Sequence, residues 1–137
     1  MTERSKAKNA CDKAFSRFVR LSCADKYGMI NCITCDKRKM WDEVDCGHFQ
    51  TRGKLSVRWL YEPENGLINA AAQCKGCNMS NGGHSYQFGK KIDALYGSGK
   101  ADTVVFMSNQ IRKYTVQELR DMAASFEARA IAILQEI

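Results

Sequence analysis

The 137-residue sequence has no run of some eighteen apolar residues, so it offers no candidate transmembrane helix. Its opening stretch, MTERSKAKNACDK, is basic and polar and lacks the apolar block of a secretory signal. A cytoplasmic, reducing location and no membrane partner are therefore expected. There is one proline, Pro63, and no low-complexity tract, linker or internal repeat beyond paired cysteines. That leaves a single domain over 1–137, a length that supports one modest core. Aromatic and apolar residues occur at ordinary levels, which excludes wholesale disorder. A βαβ pattern, the usual setting of a redox C-x-x-C pair, is also missing.

What is present is cysteine and positive charge. Seven cysteines with no export signal do not read as a disulfide framework. The number is odd, and four of them form two C-x-x-C pairs, Cys32/Cys35 and Cys74/Cys77. Each pair can form a tight knuckle whose sulfurs point the same way, and two knuckles complete a tetrahedral zinc site. The 38 residues between the pairs must hold folded structure. A knuckle, a hairpin and a second pair on the first turn of a helix make the treble-clef arrangement. Cys11 and Cys23 read as small core residues, whereas Cys46, two residues from His48, has no assigned role.

The formal charge is +6, and the first forty residues hold ten Lys/Arg against four Asp/Glu. Nucleic acid is the natural polyanionic partner, although solubility alone accounts for many such charges.

Helical spacing of Ala10, Ala14, Phe15, Phe18, Val19 and Tyr27 predicts a first helix over 7–27, ended by Gly28, with Lys8, Lys13, Arg17, Arg20 and Lys26 on its other positions. MINCIT, MWDEVDCGHF and SVRWLYE predict short strands, and YEPENG a turn. Residues 77–83 should begin as a helical turn and break at paired glycines, with helices near 84–96 and 101–111 to follow. Thr115 and Glu118 form a capping box ahead of an apolar stripe that runs to Ile137. That stripe packs on the domain or on a second copy.

His48 lies at the end of a predicted strand, with Asp45 before it and Arg52 after it, and Asn78 directly follows Cys77. A base, a cation and oxygen donors beside a rigid zinc core are the parts needed for phosphodiester hydrolysis. A structural histidine capping the fold is the plainer alternative.

The combination CITC…DCGHFQTR…ENGLINAAAQCKGCNMSNGG, over roughly residues 30–90, resembles the NinG (Rap) recombination proteins of lambdoid phages. The YTVQEL segment is also similar to that family's C-terminal region. These are zinc-containing HNH, or ββα-metal, nucleases. The resemblance implies an α+β fold: a small zinc-bound treble-clef, HNH-like core over 29–90, a basic N-terminal helix over 1–28 and C-terminal helices over 91–137. It implies His48 as general base, Asn65 as the brace of the loop that holds His48, and Asn78 as a ligand of a catalytic magnesium or manganese. Zinc would sit on Cys32, Cys35, Cys74 and Cys77, and Arg52 would grip a phosphate.

One departure stands out. Many HNH nucleases carry an aspartate immediately before the histidine, and here that residue is Gly47. Asp45 is the nearest carboxylate, but strand alternation places 45 and 47 on one face and 48 on the other. His84 either helps bind metal or begins the next helix.

The expected function is cleavage of branched DNA, such as Holliday junctions and D-loops, by a metal-dependent endonuclease. Lys13, Arg17, Arg20, Arg52, Lys54, Arg58, Lys75, Lys90 and Lys91 would hold phosphates. Symmetric cleavage of a four-way junction needs two active sites, so a homodimer joined through the first or last helix is expected. The rivals are a non-catalytic zinc-stabilised DNA-binding module and a zinc-stabilised protein adaptor.

Overall fold

The computed structural model describes residues 1–137 and shows a mixed α+β fold of six helices and three two-stranded antiparallel sheets. Helix α1 spans Glu3–Ser22, opened by Thr2, whose hydroxyl accepts the Ser5 amide. It ends earlier than its apolar spacing predicts. The Asp25 carboxylate accepts the amides of Tyr27 and Met29, which folds this stretch into a turn instead of a further helical turn. Tyr27 consequently faces solvent, and the inner face of α1 is Ala7, Cys11, Ala14, Phe15, Phe18 and Val19.

Helix α6, Val116–Leu134, starts at the expected capping box, with both reciprocal bonds of Thr115 and Glu118 at 3.0 Å. It lies along α1 in the same direction: Arg120 meets Glu3 near the two starts, and Arg17 meets Glu127 further along. Phe126 packs edge-on to Phe15 and stacks on Phe18, with centroids 5.1 and 5.5 Å apart. The apolar stripe of α6 is thus used within the chain, against α1, from Leu119 to Ile133, while Leu134 and Ile137 stay partly exposed. No helix is long and apolar enough to cross a membrane.

Strands β1 (Met29–Asn31) and β2 (Arg38–Met40) form a hairpin. Strand β3 (Asp45–His48) pairs with β6 (Ala70–Gln73), Asp45 opposite Gln73 and His48 opposite Ala70. Small side chains let β6 be buried on both faces, although alanine is a weak strand former. The SVRWLYE stretch differs from its expectation. Leu55–Arg58 is a short helix, α2, and only Tyr61–Glu62 pairs, as β4, with β5 (Leu67–Ile68). Tertiary bonds decide this: Arg58 and Trp59 turn toward Asp12 of α1, and the Val57 carbonyl is claimed by Asn69.

Helix α3 (Lys75–Met79) begins at Cys74, and α4 (Asn81–Tyr96) contains a left-handed turn at Gly82, Gly83 and His84. His84 closes that turn before the regular helix begins, its ring nitrogen 2.9 Å from the Ser80 hydroxyl. Helix α5 (Lys100–Ser108) packs behind α2, where Val104, Val57 and Leu60 make a small cluster.

Candidate functional site

The two cysteine pairs, remote in sequence, meet. Cys32 and Cys35 lie on the β1–β2 turn, and Cys74 and Cys77 on the first turn of α3. All four sulfurs lie within 4.8 Å of one another. Cys35 Sγ and Cys74 Sγ are 3.8 Å apart, the spacing that a tetrahedral zinc with bonds of ~2.3 Å imposes. The Cys74 amide points at Cys32 Sγ and the Cys77 amide at Cys74 Sγ, as suits thiolates. Burial pushes the Cys32 thiol up, but bonds from Thr34 and the surrounding amides outweigh it and hold its pKa at about 6. At Cys35 the Lys37 amide pulls down, while burial and the three neighbouring sulfurs push the pKa up to about 12. The donor set is all sulfur, and it could hold a zinc ion.

Beside this cluster a polar cleft of about 670 Å³ opens between α1, the edge of β3 and the start of α3. His48, Asp45 and Asn78 line it together, with Arg20, Arg52 and Lys75 at its walls. Asp45 and His48 point to opposite faces of the strand, yet both reach the cleft because it runs along the unpaired edge of β3 and β3 ends at His48.

His48 Nε2 lies 3.0 Å from the Arg58 carbonyl. A carbonyl only accepts, so Nε2 carries the hydrogen and Nδ1 of the neutral ring keeps a free lone pair. Burial lowers the histidine's pKa, the Arg58 carbonyl opposes that, and the Arg52 charge adds to it. The ring is therefore neutral at pH 7. Asp45 accepts from Asn78 Nδ2 at 3.0 Å and from Lys75 Nζ at 2.8 Å. Burial works against its ionisation, but these two partners prevail and keep its pKa below the usual carboxylate value. Cys46 also borders the cleft, its thiol pushed well up by burial, which makes it an inert apolar wall.

The brace of the His48 loop is a correction. Asn65 sits on an exposed turn outside the cleft, where its side chain donates to Glu62 and its carbonyl accepts from Lys100. The bracing contacts belong to Asn69, fully buried: Oδ1 accepts the Gln50 amide at 2.7 Å, and Nδ2 donates to the carbonyls of Gln50 and Val57, each at 3.1 Å. Its signal in the sequence was a polar residue inside the apolar run LINAAA. Asn69→Ala strands these buried backbone groups, and a loss of about 2–4 kcal/mol is expected in denaturant unfolding. Asn65→Ala should change stability by less than about 0.5 kcal/mol.

The basic residues divide. Arg52 is 59% exposed and loosely paired with Asp12 at 3.4 Å, and Lys75 is exposed beside Asp45. Surface pairs this open are worth little, so both cations can turn to a phosphate. Arg58 cannot: 13% exposed, it gives Nε and a terminal nitrogen to Asp12. Its role is to fasten α2 to α1. Arg17 is tied to Glu127, Lys54 bonds Asn109, Lys91 bonds Asp36 and Lys90 lies over the Tyr86 ring, all outside the cleft. Lys13 is exposed on α1 without an ion-pair partner. Arg20 reaches the cleft while bonded to Ser16 and the Trp41 carbonyl.

A family model described as Bacteriophage Lambda NinG protein matches residues 1–136 of the chain. No curated protein and no solved structure matches it.

Proposed function

We propose that this chain, which belongs to the bacteriophage lambda NinG family, is a zinc-stabilised, metal-dependent endonuclease acting on branched DNA such as Holliday junctions and D-loops. The observation that carries this reading is the convergence of His48, Asp45 and Asn78 in one cleft lined also by Arg20, Arg52 and Lys75 and lying beside the four-cysteine cluster. On this reading the β1–β2 hairpin, the β3–β6 pair and α3 are the treble-clef, HNH-like core.

Zinc on Cys32, Cys35, Cys74 and Cys77 would be structural, since four protein ligands leave no open position. Asn78 and Asp45 would hold a hard divalent ion, magnesium or manganese, for which amide and carboxylate oxygens are suitable donors. Such an ion, when bound, offsets negative charge on the phosphate and on the departing oxygen. His48 Nδ1 takes a proton from a water, whose oxygen bonds to phosphorus as one phosphodiester P–O bond breaks. The leaving sugar oxygen is protonated by solvent. Arg52, Lys75 and Arg20 fix neighbouring backbone phosphates.

A homodimer would supply the two active sites that paired incisions need. Ile131, Leu134 and Ile137 of the C-terminal stretch are 44, 38 and 42% exposed and would be the apolar part of such an interface on the last helix. Sedimentation of an active chain as a strict monomer would count against that.

The test is incubation of the zinc-loaded chain with a labelled four-way junction, with and without magnesium. Nicked strands only with magnesium support the nuclease. Junction binding that weakens with salt but never yields a nick points to a non-catalytic DNA-binding module. No binding points to a protein adaptor.

A further inference from the structure

The position before His48 is a glycine, and the structure shows what occupies the space its side chain would take. A Cβ at Gly47 would lie 2.1 Å from Gln73 Oε1 and 2.9 Å from Gln73 Cδ. The Gln73 side chain crosses from β6 onto the face of β3 that carries Asp45, its direct cross-strand partner. Gln73 is fully buried, and its orientation is fixed. Nε2 donates to the Gly83 carbonyl at 2.8 Å and to Thr34 Oγ1 at 3.1 Å. Because the Gly83 carbonyl only accepts, the amide cannot be flipped, and Oε1 is left facing β3.

That oxygen is the sole buried side-chain polar atom in the chain with no hydrogen-bond partner. An unpaired buried acceptor costs about 1–3 kcal/mol, and a donor, a water or a cation relieves that cost. A second amide oxygen is also without a donor close by. Asn78 gives its Nδ2 to Asp45, which turns Oδ1 away, and both amide oxygens lie on the same side of Gly83. From the place a Cβ on Gly83 would take, Gln73 Oε1 is 3.8 Å and Asn78 Oδ1 3.9 Å away. Gly83 itself lines the cleft.

The geometry points to Gln73 as an oxygen ligand of the divalent cation in this cleft, its Oε1 standing where a carboxylate at position 47 would otherwise project. The inference rests on the metal-dependent reading above and adds a ligand to it. Gly47 and Gln73 are then one device: the missing side chain on β3 makes room for an oxygen delivered from β6. A neutral amide in place of a carboxylate gives a site of lower charge, suited to magnesium that arrives with the DNA phosphate.

The experiment measures manganese binding to the zinc-loaded chain without DNA, by the loss of the free-ion electron paramagnetic resonance signal. Gln73→Ala should weaken binding about tenfold or more, with zinc content and circular dichroism unchanged. Gly47→Asp in a Gln73→Gly background should restore it, since removing the amide together with the Gln73 Cβ, itself 2.9 Å from the place a Gly47 Cβ would take, admits a carboxylate from β3. In the isotope-labelled wild-type chain, the Gln73 side-chain carbonyl carbon should shift with magnesium saturation, while that of exposed Gln117 stays still. That measurement decides the matter even if Gln73→Ala does not fold. A folded Gln73→Ala chain with wild-type manganese affinity, or a Gln73 resonance unmoved at saturation, overturns the assignment. The two readings fail separately. Manganese held through Gln73 without any DNA nicking sinks the nuclease alone, and nicking by a Gln73→Ala chain of undiminished metal affinity sinks the ligand alone.

Discussion

Cys74→Ser is expected to lose the zinc ion and with it the folded core. Cys74 joins the end of β6 to the β1–β2 turn, 42 residues earlier at Cys32. The sheets it ties together have two strands each, of three or four residues. Isolated two-stranded units are marginal in water. Structural zinc contributes about 10–16 kcal/mol in small metal-dependent folds, as much as or more than the roughly 5–15 kcal/mol net stability of a whole domain. A hydroxyl in place of one thiolate leaves a three-sulfur site with an open position and one charge fewer. Zinc content measured with a chromophoric chelator should fall from one per chain toward zero, and the thermal transition should broaden or vanish. Excess chelator should do the same to the wild type. A Cys74→Ser chain with one tightly held zinc and an unchanged transition would show that the ligand set is wrong.

His48→Ala should abolish magnesium-dependent cleavage of a four-way junction, by about 10²–10⁴-fold, while junction binding stays near the wild-type level. The ring contributes no charge to binding at neutral pH, because burial lowers its pKa. The same shift sets the pH dependence. The base is the neutral form, so the wild-type rate should be level above pH 6.5 and fall only as the pH drops through the lowered pKa. Stability follows the same sign. The unfolded chain, with an ordinary histidine pKa of ~6.5, takes up its proton first, so stability is fully present above that value and is lost as pH falls. His48→Ala should remove this component of acid sensitivity. It also removes the Nε2 bond to the Arg58 carbonyl, worth about 1 kcal/mol. Cleavage by the variant at the wild-type rate would assign His48 to structure only.

Much of the local structure was legible in the sequence because its signals are local. The T-x-x-E capping box opens α6 where spacing placed it, and the C-x-x-C pairs lie on a β-turn and a helix start. What escaped is decided by distant partners. Nothing within SVRWLYE announces that Asp12, more than forty residues earlier, draws Arg58 and Trp59 into a helical turn. Three consecutive alanines carry almost no strand signal, yet their small size is what allows β6 to lie buried between other elements. The same limit applies at the site. Asn65 and Asn69 are both plausible braces as letters, and only burial and three hydrogen bonds distinguish Asn69. Gln73 carries no signal of its own in the sequence, and only the missing side chain at Gly47 in space shows where its amide goes.

The most direct measurement is a crystal structure of the zinc-loaded chain with manganese and a branched DNA fragment, with anomalous data at the zinc and manganese edges. The account predicts a zinc peak among the sulfurs of Cys32, Cys35, Cys74 and Cys77. It predicts a separate manganese peak on Asn78 Oδ1, with one DNA phosphate between that ion and His48 Nδ1. Manganese bound elsewhere, or DNA lying on a face remote from His48, would contradict it.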